Sequence, residues 1–116
     1  MKLIIAGSRE LQVSQLEIFE LITHFGLHPT QIVSGGARGI DRCGEAFALH
    51  AYIPIKRFLP DWDQFGKSAG HKRNAQMADY ADCLLLIWDG ESRGSAGMKA
   101  CMEKLGKPVH AVVVSK

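Results

Sequence analysis

Long apolar segments are missing from this sequence. No stretch of its 116 residues is long and apolar enough to cross a bilayer. The apolar run that precedes Gly7 is also too short for the core of a signal peptide. We therefore expect no membrane association and a cytoplasmic location.

Cysteine pairs and metal-binding spacings are missing as well. The cysteines are widely separated, form no C-x-x-C pair and are three in number, namely Cys43, Cys83 and Cys101. Such usage is typical of a reducing compartment. The five histidines form no H-E-x-x-H motif and are scattered over several predicted elements, so we predict that no metal is bound.

The sequence has little excess of positive over negative charge and few aromatic residues. The net charge is only +2, and aromatic residues make up 8% of the chain. Neither value indicates a nucleic-acid-binding protein from composition alone. A basic site in this chain must therefore be formed by local clustering of arginine and lysine.

Apolar runs alternate with segments of helical spacing along the whole chain. Strands are predicted at 2–6, 31–33, 54–59, 83–88 and 109–114, and helices at about 14–25, 39–50, 74–80 and 95–104. Ser14 followed by Glu17 is typical of a capping box, and Gly26 is expected to end the first helix. The segment from Pro60 to Lys72 follows neither period and is predicted to be a long loop.

This alternation predicts one α/β domain over residues 1–116. We expect a five-stranded, mainly parallel sheet flanked by helices, because strands that alternate with helices form parallel βαβ units. The apolar residues of the first and last predicted helices allow a homo-oligomer.

A glycine-rich turn, residues 34–42 (SGGARGIDR), joins the second predicted strand to the second predicted helix. Its three glycines permit positive φ and the close approach of a ligand, and the helix start offers unpaired N–H groups. Arg38 and Arg42 add positive charge, which favours phosphate binding over helix–sheet packing alone. Asp41 is expected either to hydrogen-bond a ribose hydroxyl or to stabilise the start of the helix, where the dipole favours a carboxylate. The turn matches neither a Walker A motif nor a strict G-x-G-x-x-G.

Polar turns follow three of the predicted strands and are expected to meet at one edge of the sheet. They are residues 7–9 (GSR), the glycine-rich turn and residues 89–95 (DGESRGS). The carboxyl ends of parallel strands share one edge, where ligands bind. With the segment 60–72, this edge is predicted to gather seven cations that suit a phosphorylated ligand: Arg9, Arg38, Arg42, Lys67, Lys72, Arg73 and Arg93. Trp62 is expected either to anchor its loop or to stack on a base.

Several motifs in combination resemble one family. They are Gly7-Ser8-Arg9, residues 33–41 (VSGGARGID), Arg57-Phe58 with Asp61-Trp62, Arg73-Asn74 with Met77-Ala78-Asp79, and residues 88–94 (WDGESRG). Together they resemble the YspA, cpYpsA-related branch of the SLOG superfamily. The resemblance implies a Rossmann-like fold and a small-molecule nucleotide or nucleotide-derived ligand, held for sensing or sequestration without a required cofactor.

The resemblance and the charge pattern together assign eighteen residues to the ligand site. They are Gly7, Ser8, Arg9, Ser34, Gly35, Gly36, Arg38, Gly39, Asp41, Arg42, Trp62, Arg73, Asn74, Asp89, Gly90, Ser92, Arg93 and Gly94.

Two more distant similarities imply alternative functions. The LOG-type phosphoribohydrolases carry P-G-G-x-G-T-x-x-E after the fourth strand, and Met98 stands where that glutamate is expected. N-glycosidic hydrolysis would then need another carboxylate, and Asp89 and Glu91 are the candidate catalytic residues, with Asp41 as a further substitute. The SLOG-type domain of DprA carries a similar S-G-x-A-R-G-I-D turn, which implies single-stranded DNA binding as the other alternative.

Overall fold

Strands and helices alternate in the computed structural model, which describes residues 1–115. The strands are β1 (Lys2–Gly7), β2 (Gln31–Ser34), β3 (Ile55–Arg57), β4 (Cys83–Trp88) and β5 (Val109–Val113). The helices are α1 (Gln15–His24), α2 (Ile40–His50), α3 (Trp62–Phe65), α4 (Ala69–Tyr80) and α5 (Arg93–Lys104). A 3₁₀ turn (Gly66–Ser68) joins α3 to α4.

The strands form one parallel sheet in the order β3-β2-β1-β4-β5. In the central pairings Leu3 lies beside Ile32 on one side and beside Cys83 on the other. The chain thus builds outward from β1 in one direction and then returns to add β4 and β5 on the other side. This is a Rossmann-like α/β arrangement, as predicted, and its strand order reverses between β1 and β4.

Helices cover both faces of the sheet, which explains why the central strands are apolar throughout. On one face Leu3, Ile5 and Leu85 pack in a cluster with α1 and α2. On the other face Ile4 and Leu84 pack in a cluster with α4 and α5. Strands buried on both sides need apolar residues at every position, not at alternate ones.

The start and end of α1 follow the sequence signals. Ser14 Oγ accepts the backbone N–H of Glu17 at 3.1 Å, and Glu17 Oε1 accepts that of Ser14 at 3.4 Å. Gly26 adopts a φ of +66° just beyond the helix. The predicted capping box and helix end are therefore confirmed.

The prediction of a long loop over residues 60–72 was wrong, because most of this segment is helical. It contains α3, the 3₁₀ turn and the first turn of α4. Asp61 caps α3 by accepting the backbone N–H of Gln64 at 3.1 Å. Residues 61–68 are all exposed, so no buried apolar face produces the periodicity by which a helix is recognised in sequence.

Candidate ligand-binding site

A cavity of about 330 Å³ lies at the carboxyl edge of the sheet, where the strand order reverses. We term it the switch-point cavity. Its walls come from the turns after β1, β2 and β4 and from α2, α4 and α5. The lining residues are Gly7, Arg9, Gly35, Ala37, Asp41, Arg73, Asn74, Met77, Ser92, Gly94 and Ser95. Three polar turns that are far apart in sequence therefore meet at one site.

Arg73 provides a fixed positive charge in the wall of this cavity. It is only 9% exposed; its Nη1 donates to the Gly35 carbonyl oxygen at 2.6 Å and its Nε to Asn74 Oδ1 at 3.0 Å. Burial lowers the pKa of Arg73, while the nearby Asp41 carboxylate acts in the opposite direction. An arginine stays protonated under such conditions and has five N–H donors, so donors remain for a ligand. Arg9 adds a second, exposed cation to the same cavity.

Asp41 is the buried acid of the cavity. The residue is 6% exposed, and its Oδ2 accepts the backbone N–H of Ala37 at 3.1 Å. Burial raises the pKa of Asp41 from 3.8 to about 6, although the Ala37 hydrogen bond and the charges of Arg73 and Arg9 act to lower it. A carboxyl that ionises near neutral pH inside a cleft is a common mark of a functional site.

The glycine-rich turn directs several of its backbone N–H groups to oxygens of the protein itself. The N–H of Gly36 donates to Ser34 Oγ at 3.1 Å, and that of Ala37 donates to Asp41. At the start of α2, the N–H of Ile40 donates to the Ser8 carbonyl oxygen at 3.3 Å. A phosphate bound at this turn would have to replace these internal hydrogen bonds.

Close packing explains two of the glycines in this turn. A Cβ on Gly35 would lie 2.6 Å from Arg73 Nη1 and 2.9 Å from Asp41 Oδ2. Gly39 has a φ of +77°, and a Cβ there would lie 2.5 Å from the Ser8 carbonyl oxygen. The missing side chain of Gly35 is what lets Arg73 and Asp41 converge on the turn.

Glu45 supports the turn from the interior. Its Oε2 accepts Ser34 Oγ–H at 2.7 Å, and its Oε1 accepts Arg57 Nε–H at 2.9 Å. Burial acts to raise the pKa of Glu45, but the hydrogen bonds from Arg57 and Ser34 outweigh it, so the pKa lies below its usual value. This acid was not predicted, because a single glutamate on a helix carries no signal of burial.

The start of α5 is open to the cavity. Ser92 caps the helix, its Oγ accepting the backbone N–H of Ser95 at 3.4 Å. Ser95 is 4% exposed, and its hydroxyl has no hydrogen-bond partner within residues 1–115. A Cβ on Gly94 would meet no atom within 4 Å. Helix starts attract anions through free N–H groups and the dipole, and here an unpaired hydroxyl lies beside them.

The candidate catalytic residues Asp89 and Glu91 lie on the turn that leads into α5 and do not line the cavity. Asp89 Oδ1 accepts the backbone N–H groups of Glu91 at 2.8 Å and Ser92 at 2.9 Å. The backbone N–H of Asp89 in turn donates to Ser8 Oγ at 3.1 Å. Asp89 thus shapes the turn, and Glu91 is exposed.

The other predicted ligand residues are distributed around the switch-point cavity. Ser8 and Ser34 are buried and serve the hydrogen bonds described above. A neighbouring cavity includes Gly36, Arg38 and Trp62, and a groove beside α1 includes Gly39 and Arg42. Gly90 and Arg93 are exposed at the turn and at the first residue of α5. Of the seven cations expected at this edge, Arg9 and Arg73 line the switch-point cavity.

Three lining residues were not predicted: Ala37, Met77 and Ser95. Ala37 and Met77 carry no chemical signal in the sequence. Ser95 carried a weak one, because a serine three residues after a helix-capping serine lies in the first turn of the helix.

Within residues 1–115, no three histidine, cysteine, aspartate or glutamate side chains are grouped so that they could hold a metal ion. Over the same residues, the helices are all too short or too polar to cross a membrane.

No protein-family model matches the chain, and neither curated proteins nor solved structures give a significant match.

Proposed function

We propose that this chain binds a nucleotide or a nucleotide-derived, phosphorylated ligand in the switch-point cavity, in a sensing or sequestration role. One observation carries the proposal: two arginines and the open start of α5, with the unpaired Ser95 hydroxyl, face one cavity at the point of strand reversal. Guanidinium groups and helix N-termini are preferred partners of phosphate oxygens. The volume of about 330 Å³ is within the range of small-ligand sites. Membership of the SLOG superfamily is part of this proposal, and it accounts for the same motifs.

We infer that the phosphate binds at the start of α5, not at the glycine-rich turn. The turn uses the N–H groups of Gly36 and Ala37 internally, whereas Ser95 Oγ lacks a partner within the described residues. A buried hydroxyl without a partner is costly in free energy, and a phosphate oxygen would satisfy it.

Asp41 is placed to accept hydrogen bonds from ribose hydroxyls. It lines the cavity beside Gly35, which Arg73 also approaches. A ribose there would separate the acid from the phosphate, so that the two negative groups do not face each other directly.

Isothermal titration calorimetry with AMP and adenosine tests the proposal. AMP is expected to bind about tenfold or more tightly than adenosine, since charge-assisted hydrogen bonds to phosphate are the strong ones. Arg9→Gln is expected to reduce AMP affinity about tenfold. Arg42→Gln is the matched control, because this arginine is also exposed but lies in the groove beside α1. Equal affinity for AMP and adenosine, or equal loss in both variants, would contradict the proposal.

Phosphoribohydrolase activity is a second candidate, and the raised pKa of the buried Asp41 favours it, since a carboxyl near neutrality suits general acid–base catalysis. Against it, Met98 is 2% exposed in the apolar cluster under α5, so the position where a LOG-type enzyme carries glutamate offers no carboxylate. Incubation with AMP and chromatography for free adenine decides between the two. Release of adenine that disappears in Asp41→Asn would establish hydrolysis.

A further inference from the structure

A second cavity adjoins the switch-point cavity on the side of α3. It has a volume of about 360 Å³ and shares Arg9, Gly35, Ala37 and Arg73 with the first cavity. Its remaining lining residues are Gly36, Arg38, Leu59, Pro60 and Trp62. We term it the Trp62 cavity. The two cavities form adjoining compartments along the same edge of the sheet.

Trp62 presents a large aromatic surface to this second cavity. Its side chain reaches α4, where a Cβ on Gly70 would lie 3.7 Å from its Cη2. The residue is nevertheless 53% exposed, and the adjacent Leu59 is 66% exposed. An indole used only to anchor its segment would be largely covered by the protein. About half of the residue's surface is instead free to contact a ligand.

The walls between the two cavities are cationic. Arg9 and Arg73 line both of them, Arg38 lines the Trp62 cavity, and no acidic residue is among the lining residues of that cavity. Arg38 pairs with Glu10 at 2.6 Å, but both side chains are mostly exposed. Such a surface ion pair contributes little free energy, so Arg38 can leave Glu10 and bind a phosphate with little loss of stability.

We propose that the Trp62 cavity is a second ring subsite and that the ligand is of the dinucleotide class, with two nucleosides joined through phosphate. One nucleotide occupies the switch-point cavity, the linking phosphate lies against Arg9 and Arg73, and the second base stacks on Trp62. A cationic path beside an exposed aromatic ring is the combination that holds successive bases. This proposal rests on the proposed function and names the class of ligand for the same site.

The test compares AMP with the 5′-phosphorylated dinucleotide pApA by calorimetry and by tryptophan fluorescence. The sequence has two tryptophans, and Trp88→Phe leaves Trp62 as the only tryptophan, which is excited selectively over tyrosine at the red edge of its absorption. This background replaces an indole N–H that is buried without a partner within residues 1–115. We expect pApA to quench Trp62 and to bind about 5- to 150-fold more tightly than AMP, the range that stacking of one base provides.

Three variants test whether Trp62 is responsible for the tighter binding of pApA than of AMP. Trp62→Ala is expected to remove the advantage of pApA while changing AMP affinity less than about twofold, and Trp62→Phe is expected to keep most of it. Phe65→Ala is the matched control, because Phe65 is an exposed aromatic of the same helix that does not line the Trp62 cavity. It is expected to leave the advantage of pApA unchanged.

The outcomes separate the subsite from the proposed function. Equal affinity for AMP and pApA, or an advantage that survives in Trp62→Ala, would overturn the subsite while AMP binding still supported the proposed function. Absence of binding by both probes would overturn the proposed function and the subsite that rests on it. Affinity that kept rising from pApA to an oligonucleotide of about ten residues would overturn the two-ring ligand in favour of single-stranded nucleic acid.

Discussion

At the scale of single residues, the site depends on a tight arrangement of Gly35, Asp41 and Arg73. The guanidinium of Arg73 donates to the Gly35 carbonyl oxygen, and the Asp41 carboxylate accepts the backbone N–H of Ala37. A buried cation and a buried acid lie against the same glycine. A larger side chain at position 35 would therefore displace both charged groups.

Gly35→Ala is expected to reduce the free energy of unfolding by about 1–3 kcal/mol, because the added methyl group would displace Arg73 and Asp41. AMP affinity is expected to fall with it. Gly94→Ala is the matched control, since a Cβ there meets no atom within 4 Å and alanine favours the helix. Urea denaturation of the two variants checks the prediction, and equal stabilities would contradict it.

The buried Asp41 is expected to make stability depend on pH. The pKa in the folded protein, about 6, is above the ordinary value of 3.8, so between these values the folded state holds a proton that the unfolded state has released. Stability should therefore fall by up to about 3 kcal/mol as the pH rises through this window and stay level above it. Denaturation at several pH values should show this fall in the wild type and not in Asp41→Asn. Parallel curves for the two proteins would show that Asp41 is not the source.

At the scale of elements, Ser14 and Ser92 each cap a helix, but the two helices differ in their relation to the candidate site. Ser14 caps α1 within a capping box and does not line the switch-point cavity, whereas Ser92 caps α5 and does line it. The same chemistry thus serves stability in one helix and both stability and the site in the other.

Ser14→Ala and Ser92→Ala are each expected to cost about 1 kcal/mol of stability, the usual effect of losing a helix cap. Only Ser92→Ala is expected to weaken AMP binding several-fold, because it loosens the start of α5 at the proposed phosphate position. Denaturation measures the first effect and calorimetry the second. Unchanged AMP affinity in Ser92→Ala would place the phosphate elsewhere.

The end of α4 is closed by a side chain from another part of the chain. Lys107 Nζ donates to the carbonyl oxygens of Ala78 at 2.7 Å, Asp79 at 3.0 Å and Ala81 at 2.8 Å. We expect Lys107→Met to lower the free energy of unfolding by about 1–2 kcal/mol, because these helix-end carbonyls lose a charged donor. Lys104→Met provides the comparison at a lysine in the last turn of α5. Chemical denaturation in which the two variants were equally stable would contradict this role.

At the scale of the whole molecule, the strand order decides where the site is. Because β2 and β3 lie on one side of β1 and β4 and β5 on the other, the turns after β1 and β4 diverge and leave a crevice between them. The helix layers bury the sheet on both faces, which leaves the carboxyl edge, where the candidate site lies, uncovered by these layers.

A ligand at this crevice contacts three turns at once and should stabilise the whole fold. At about 100 times its Kd, AMP is expected to add about 2.7 kcal/mol to the free energy of unfolding. For a chain of this length the melting temperature would rise by roughly 10 °C. Differential scanning fluorimetry with AMP, and with adenosine for comparison, measures the shift. No shift at millimolar AMP would count against the proposed site.

Much of the fold could be predicted because the responsible signals are local. The apolar run of β4 (Cys83–Trp88) and the capping box at Ser14 each carry their own pattern. The helix α3 has no buried face, and its exposed residues give no period to recognise. At the site, charge and glycine content identified Arg9, Gly35 and Arg73, whereas the place of Ser95 after the capping Ser92 gave only a weak signal that did not show its burial.

The sequence by itself determined the α/β class, the order of the main elements and the placing of polar turns after apolar strands, because periodicity and turn residues act over a few neighbouring positions. Only the tertiary structure decided which polar groups are already used. It pairs the N–H groups of the glycine-rich turn with Ser34 and Asp41, buries Asp41 so that its pKa rises to about 6, and leaves the Ser95 hydroxyl without a partner within residues 1–115. Burial and hydrogen bonding join residues distant in sequence, so no local pattern could have revealed them.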